Sequence, residues 1–344
     1  MALTPDQIDD LVSLTLNRFK RHKWTDISLD LQEYVHSTIM SKKSVTERGG
    51  PKISFRVQHK NTGNARLSGL FDTDSTMVDD VMLTGEVPWS KTTSSFAYDV
   101  DEDLFQSDRE TIIKELKVRE HDAMNSLAEL NEEKLWSEPT NSSDTSPLGI
   151  PYWIQKSTTE GFNGGNPSAH SSSGAAGIDS DTYTNWRNYT FGYDTVGVND
   201  MVKKVKKAIA YTKFMAPHPH PQLGYGNAEA YHIYTVYSVR DELERIAESR
   251  NDNLGSDVAK YINKVTIAGI PVDWVPYLDN NDTQNPVYGV NWKVFRPFVK
   301  KGCNGRRTGP FRSAKQHTVR EVHIDTWYNY CCVNRRNTFV GRLN

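Results

Sequence analysis

The chain has 344 residues, enough for two or three domains and a sizeable buried core. Its 41 basic and 43 acidic residues leave a formal charge of −2, which excludes a molecule drawn as a whole to nucleic acid or to an acidic membrane, so any charge-driven contact must be local. Hydrophobic residues make up only 37% while aromatics reach 10%, a balance that suits extended parts buried against partners rather than against the chain itself.

The N-terminal MALTPDQIDD is acidic and lacks an apolar h-region, and no run of about 18 apolar residues occurs, so the sequence reads as neither secreted nor membrane-spanning. Thr4-Pro5-Asp6-Gln7 carries a helix-start signature, and Ile8, Leu11, Leu14 or Thr15, and Phe19 follow at helical spacing, predicting a helix from about Pro5 to Lys20. KISFRVQHK (52–60) alternates Ile53, Phe55 and Val57 with polar residues, and SSFAYDV (94–100) alternates Phe96, Tyr98 and Val100. With the glycine-bearing NTGNARLSG between them, the two predict a two-stranded arm over about Gly50 to Val100. Such a hairpin has too little apolar surface to stand alone, and is expected to lie on another domain or subunit.

Ser107-Asp108-Arg109-Glu110 is a capping box that opens a helix to about Trp136, with Ile112, Ile113, Leu116, Ala123, Met124, Leu127 and Leu130 on one stripe. At 1.5 Å per residue this rod is roughly 45 Å long, a spine for other elements to cross. SEPTNSSDTSP (137–147) marks a boundary. Alternating helical and strand patterns from about Leu148 to Val299, including an Asn199-capped helix MVKKVKKAIAYTKF, predict an α/β domain on a mixed sheet. The closing REVHIDTWYNYCCVNRRNTFVGRL reads as a strand pair turning near Asn334 to Asn337.

Few residues point to chemistry. His218 and His220 lack the third and fourth ligands a metal normally needs. Cys303, Cys331 and Cys332 are too few for a disulfide framework and are expected reduced and buried, and Cys331-Cys332 with His323 shows no signal for an activated thiol. No phosphate-cradling glycine motif occurs, and no cofactor is expected. In GIDSDTYTNWRN (177–188), Asp179 and Asp181 are a poor match to the paired carboxylates of glycoside hydrolysis, although the aromatic surroundings keep a carbohydrate-binding reading open. The structural alternative has Trp186 packed, and Asp179, Arg187 and Asn188 anchoring the loop. Lys300, Lys301, Arg306, Arg307, Arg312, Lys315 and Arg320 follow one another without an acid and could contact phosphates, or the acidic run Asp99 to Asp103 of a neighbour.

Three motifs in order give this pattern a counterpart. LGIPYWI followed by a Gly-rich loop and GIDSDTYTNWRN, then TIAGIPVDWVPYLD with PVYGVNWKVFRPF, then CCVNRRNTFVGRL, resemble stretches of the major capsid proteins of tailed bacteriophages of the Hong Kong 97 type. Ser180 stands where an Arg is usual in that family, and Asn185 where an aromatic commonly precedes the Trp. The resemblance implies an α+β fold with an N-arm (1–49), an E-loop (50–100), a P-domain with the spine helix (101–140), an A-domain (141–311) and P-domain C-terminal strands (312–344). It also implies a non-enzymatic subunit of pentamers and hexamers in an icosahedral shell around double-stranded DNA, found in the virion and assembled in host cytoplasm. Portal, and separate scaffolding and decoration proteins, would be its partners, with no membrane.

On the same basis Arg56, Arg66, Phe71, Trp89 and Lys91 of the E-loop are assigned to subunit contacts, and Asp179, Trp186, Arg187 and Asn188 to a loop anchor. Lys300, Lys301, Arg306, Arg307 and Arg312 are assigned to DNA or a neighbour. Some members join E-loop lysine to P-domain asparagine, for which Lys60 or Lys91 with Asn334 or Asn337 are the candidates. With about fifty residues before the E-loop, no cleaved scaffolding domain is expected. The rivals are an encapsulin-type compartment on the same fold and a carbohydrate-binding protein.

Overall fold

The computed structural model describes residues 34–73, 76–101, 109–213, 231–248 and 265–344, and of residues 109–116 and 248 the backbone alone. The Pro5 to Lys20 helix, the Ser107-Asp108 cap and the His218/His220 pair lie outside the described residues. In chain order the elements are α1 (Val35–Lys43), β1 (Val45–Glu47), β2 (Lys52–Gln58), β3 (Met82–Pro88), β4 (Ser90–Asp99), α2 (Arg109–Leu135), α3 (Ile150–Trp153), β5 (Gly161–Gly164) and β6 (Asn188–Tyr193). There follow α4 (Lys203–Thr212), β7 (Tyr231–Thr235), α5 (Tyr237–Glu248), β8 (Thr266–Ile267), β9 (Ile270–Trp274), α6 (Pro276–Asn281), β10 (Val287–Asn291), β11 (Phe295–Lys300), β12 (Arg306–Arg312), β13 (Val319–Cys332) and β14 (Phe339–Leu343).

The β-branched and aromatic run of β13 makes it the axis of a five-stranded sheet. β4 pairs with it antiparallel from Val319↔Asp99 to Tyr328↔Ser90. β11 and β12 follow one another along its other edge, and β1 adds in parallel to β11. α2 packs along β4: Arg119 Nη1 donates to the Ala97 carbonyl at 3.1 Å, and Glu120 pairs with Arg307 of β12. Its buried face is partly polar. Glu132, fully buried, accepts from the His36 backbone N–H at 2.7 Å and the Trp136 indole at 2.7 Å, while Tyr328 donates to Asn131 at 2.8 Å. These bonds satisfy groups that would be costly to leave unpaired, and they tie α1, α2 and β13 together.

The second layer is a seven-stranded mixed sheet in the order β5-β6-β14-β10-β7-β9-β8. β14 is parallel to β6 and antiparallel to β10, and β7 is parallel to β9. α4 buries Val205, Ala208 and Ile209 and turns its lysines out, Lys204 reaching the Gly192 carbonyl at 2.7 Å and Lys207 pairing with Glu160 at 2.6 Å. Phe191, Tyr193, Tyr231, Tyr288 and Phe339 fill the core, each worth about 1.5–3 kcal/mol of burial.

Five expectations change. The arm is β2 paired with β3, from Lys52↔Pro88 to Gln58↔Met82, and the SSFAYDV stretch belongs to β4 on β13. The closing residues form no strand pair: β13 and β14 lie in different sheets, because the turn at Arg335–Asn337 carries the chain from one layer to the other. β11 and β12, expected in the α/β domain, extend the β13 sheet instead. On α2, Ala123 is buried but Met124 and Leu130 are exposed, and no Asn199 cap opens α4; a π turn over Val198–Val202 leads into it, with Asp200 accepting from the backbone of Asp194 and Thr195.

Candidate functional site

The GIDSDTYTNWRN loop is tightly held. Asp179 accepts from Asn166 Nδ2 at 2.7 Å, from Thr182 Oγ1 at 2.6 Å and from the backbone of Asp181 and Thr182, and the Asn166 and Thr182 bonds hold its carboxyl well below the usual range. A side chain this occupied is part of the loop's frame, not an available acid. Ser180 is buried and donates to Asn166 Oδ1 at 2.6 Å. Arg187 spans the Ser180 carbonyl and Asp181 carboxylate, each at 2.9 Å.

Trp186 is 4% exposed, its indole N–H on the Ala175 carbonyl at 3.2 Å. Fully buried Asn188 bonds both the N–H and the C=O of Gln155, at 3.1 and 2.9 Å, and accepts from Arg335 at 3.1 Å. Arg335, which the sequence reading missed, is fully buried beneath this loop, donating also to the Trp153 and Gly165 carbonyls at 2.7 and 2.8 Å. Among the described residues no open cleft chemistry gathers here: the side chains hold one another.

The loop also meets the arm. Phe55 stacks on Trp186 at 6.1 Å, His59 packs edge-on against Tyr183 at 5.0 Å, Asn185 Nδ2 donates to the His59 carbonyl at 2.9 Å, and the Glu86 backbone N–H reaches the Ala176 carbonyl at 2.9 Å. Beyond this root the arm carries large apolar side chains into solvent. Leu67 and Phe71 are 103% exposed, Val78 99%, Leu70 91% and Met77 72%. Phe71 also sits at φ 72, a left-handed conformation that a bulky residue rarely holds.

The assigned residues are not gathered at one place. Arg56 lies exposed on β2, and Arg66 donates to the Thr73 carbonyl at 2.7 Å within the tip. Trp89 bonds the Gly50 carbonyl at 3.1 Å, and Lys91 pairs with Asp325 at 3.1 Å in the β13 sheet. In the basic run Lys300 lies 5.6 Å over the Trp327 ring, Arg307 pairs with Glu120, Arg306 stands opposite Asp325, and Lys301 and Arg312 are exposed. The run lacks an acid in sequence but meets acids in space.

Of the crosslink candidates, Lys60 pairs with Asp79 at 2.8 Å, Asn334 caps its own turn and Asn337 is buried. Cys331 and Cys332 are buried free thiols, and burial pushes Cys332 up to about 12, out of range for a nucleophile at neutral pH; Cys303 is only half-buried. Among the described residues no group of three or more His, Cys, Asp or Glu could hold a metal, and no helix is long and apolar enough to cross a membrane.

This arrangement of an arm, a spine helix on a long-stranded sheet and a mixed α/β layer is similar in fold to solved capsid chains over nearly their whole length. A capsid chain of cyanophage A-1(L) superposes with a TM-score of 0.63 at 14% identity, covering 97% of this chain and 98% of that one. A capsid chain of a native GTA particle gives 0.55 at 10% identity over 94% and 95%, and one from the Myoviridae phage XM1 gives 0.54 at 8% over 96% and 97%. No family profile and no curated protein matches the sequence.

Proposed function

We propose that this chain is a major capsid protein of the Hong Kong 97 type, a non-enzymatic subunit that assembles into pentamers and hexamers of an icosahedral head around double-stranded DNA. The carrying observation is the β2–β3 arm, which projects Leu67, Leu70, Phe71, Met77 and Val78 into solvent. A clustered set of exposed apolar side chains on an extended hairpin marks a protein contact, and the shared capsid fold supplies the partner: a neighbouring copy. In this reading the arm is the E-loop, the β13 sheet with α2 the P-domain, and the seven-stranded sheet the A-domain. Arg56, Arg66 and Phe71 then belong to the intersubunit contact, and exposed Lys301 and Arg312 meet DNA phosphates without reading sequence. Portal, scaffolding and decoration proteins complete the particle, which assembles in host cytoplasm.

Electron microscopy of the expressed protein tests this directly. Capsomers or closed shells are expected. A protein that sediments as a monomer and binds glycans would overturn the reading, and shells filled with an enzyme cargo would transfer it to a protein compartment.

A further inference from the structure

The loop at 174–188 is built as a rigid platform, and the arm is fastened to it at one end. Gly174 (φ 72) admits no side chain, since a Cβ there would come within 2.0 Å of the Ile178 carbonyl oxygen, and buried Ala176 is held at φ 57. The Asp179 cage, the Arg187 bridge and the buried Asn188–Arg335 contact remove the remaining freedom.

Both strands of the arm are gripped: β2 through Phe55 on Trp186, and β3 through Glu86 N–H on the Ala176 carbonyl. Two such points hold the hairpin's position but leave it free to turn about the line that joins them, so a third is needed to fix its direction. The third point lies where the ladder ends. His59 N–H donates to the Val81 carbonyl at 3.0 Å as the last rung, and its own carbonyl accepts from Asn185 Nδ2 at 2.9 Å. The Asn185 amide is oriented in turn by Arg336, which donates to Asn185 Oδ1 at 2.5 Å while its guanidinium lies 4.2 Å over the Phe162 ring. An amide whose oxygen is taken by a cation must present its NH2 to the other partner, so Arg336 selects the orientation that holds His59. Past this point the tip is bonded across itself, Lys60 to Asp79, Asn64 to Met77, Arg66 to Thr73 and Gly69 to Asp72.

We propose that the 174–188 loop aims the arm, with Asn185 as its positioning residue and Arg336 as the group that orients Asn185. The consequence for assembly rests on the capsid reading above. A tip about 30 Å from its root swings by about 5 Å for a tilt of about 10°, enough to take apolar side chains out of contact with a neighbour. The direction of the arm is therefore set inside the subunit, before a neighbour is met.

The test pairs amide hydrogen exchange on the soluble subunit with microscopy of assembled particles, for wild type, Asn185→Ala, Asn185→Asp and Phe55→Leu. Asn185 is exposed, so its variants remove a bond without opening the core. Exchange at His59, Leu83 and Glu86 is expected to rise by about fivefold to tenfold in Asn185→Ala, with β6 amides unchanged. Asn185→Asp keeps the bond to Arg336 and loses the donor to His59, so it should loosen the arm root equally. Particles from these variants should be fewer and uneven in size.

Unchanged exchange in both Asn185 variants and in Phe55→Leu would overturn the clamp. Raised exchange with uniform, normal particles would overturn the aiming role while leaving the capsid reading intact. Failure of wild-type protein to assemble would strike the capsid reading, with the exchange measurement still deciding the clamp.

Discussion

Arg335 is fully buried, and the three oxygens it bonds belong to Trp153, Gly165 and Asn188, none of them a carboxylate. Burial lowers its pKa only to about 10, so it stays charged at neutral pH, stabilised by dipoles alone. Arg335→Met should therefore cost at least about 3 kcal/mol in urea unfolding, because three oxygens lose their donor together. Arg335→Lys should recover less than half, a single ammonium being unable to span them. His36 makes the opposite case. Its ring packs 5.3 Å from Tyr328 and against Tyr330, whose hydroxyl bonds Nδ1, and burial pushes its pKa from 6.5 down to about 4. The folded state holds the neutral ring, so its contribution is complete above pH 6.5 and is lost as pH falls toward 4. Wild type should lose about 2 kcal/mol more than His36→Gln between pH 7 and pH 5, measured from the difference of their urea midpoints.

Between neighbouring elements, Gly85 and Phe55 show why the arm could be only half read from sequence. Gly85 lies opposite Phe55 in the register, and a Cβ there would approach the ring to 2.5 Å. Gly85→Ala should push Phe55 off Trp186, costing about 1–3 kcal/mol and speeding amide exchange along β2 and β3. That glycine interrupts the alternation of MLTGEVP and hides β3, whereas SSFAYDV alternates cleanly and pairs elsewhere. Periodicity reports which face a strand buries but not which strand lies beside it, since pairing is decided by distant residues. The same limit misplaced β14, whose aromatic and β-branched residues mark a strand while its neighbours, β6 and β10, lie far away in sequence. In the loop, Trp186, Arg187 and Asn188 were conspicuous because a polar linker has no use for them. Arg335 was not, because an arginine beside a second arginine reads as surface.

At the scale of the whole molecule, the two sheets are joined by the chain's own crossings, whereas the contacts described above for the arm's outer half join the tip to itself. Lys60–Asp79 and the tip's other polar contacts are solvent-exposed, a class of bond that contributes little net stability. Deleting Asn61 to Asp74 should then leave the unfolding free energy of the isolated subunit within about 0.5 kcal/mol of wild type. The cost should appear only on assembly. On the proposed capsid role, a shell would repeat each contact many times, so a modest loss per arm would multiply into failure of the closed particle. Analytical ultracentrifugation is expected to show a folded subunit and no shells. Normal shells from the deleted chain would mean that the tip's exposed apolar residues serve some other partner, and a destabilised monomer would mean that the arm folds as part of the subunit's own core.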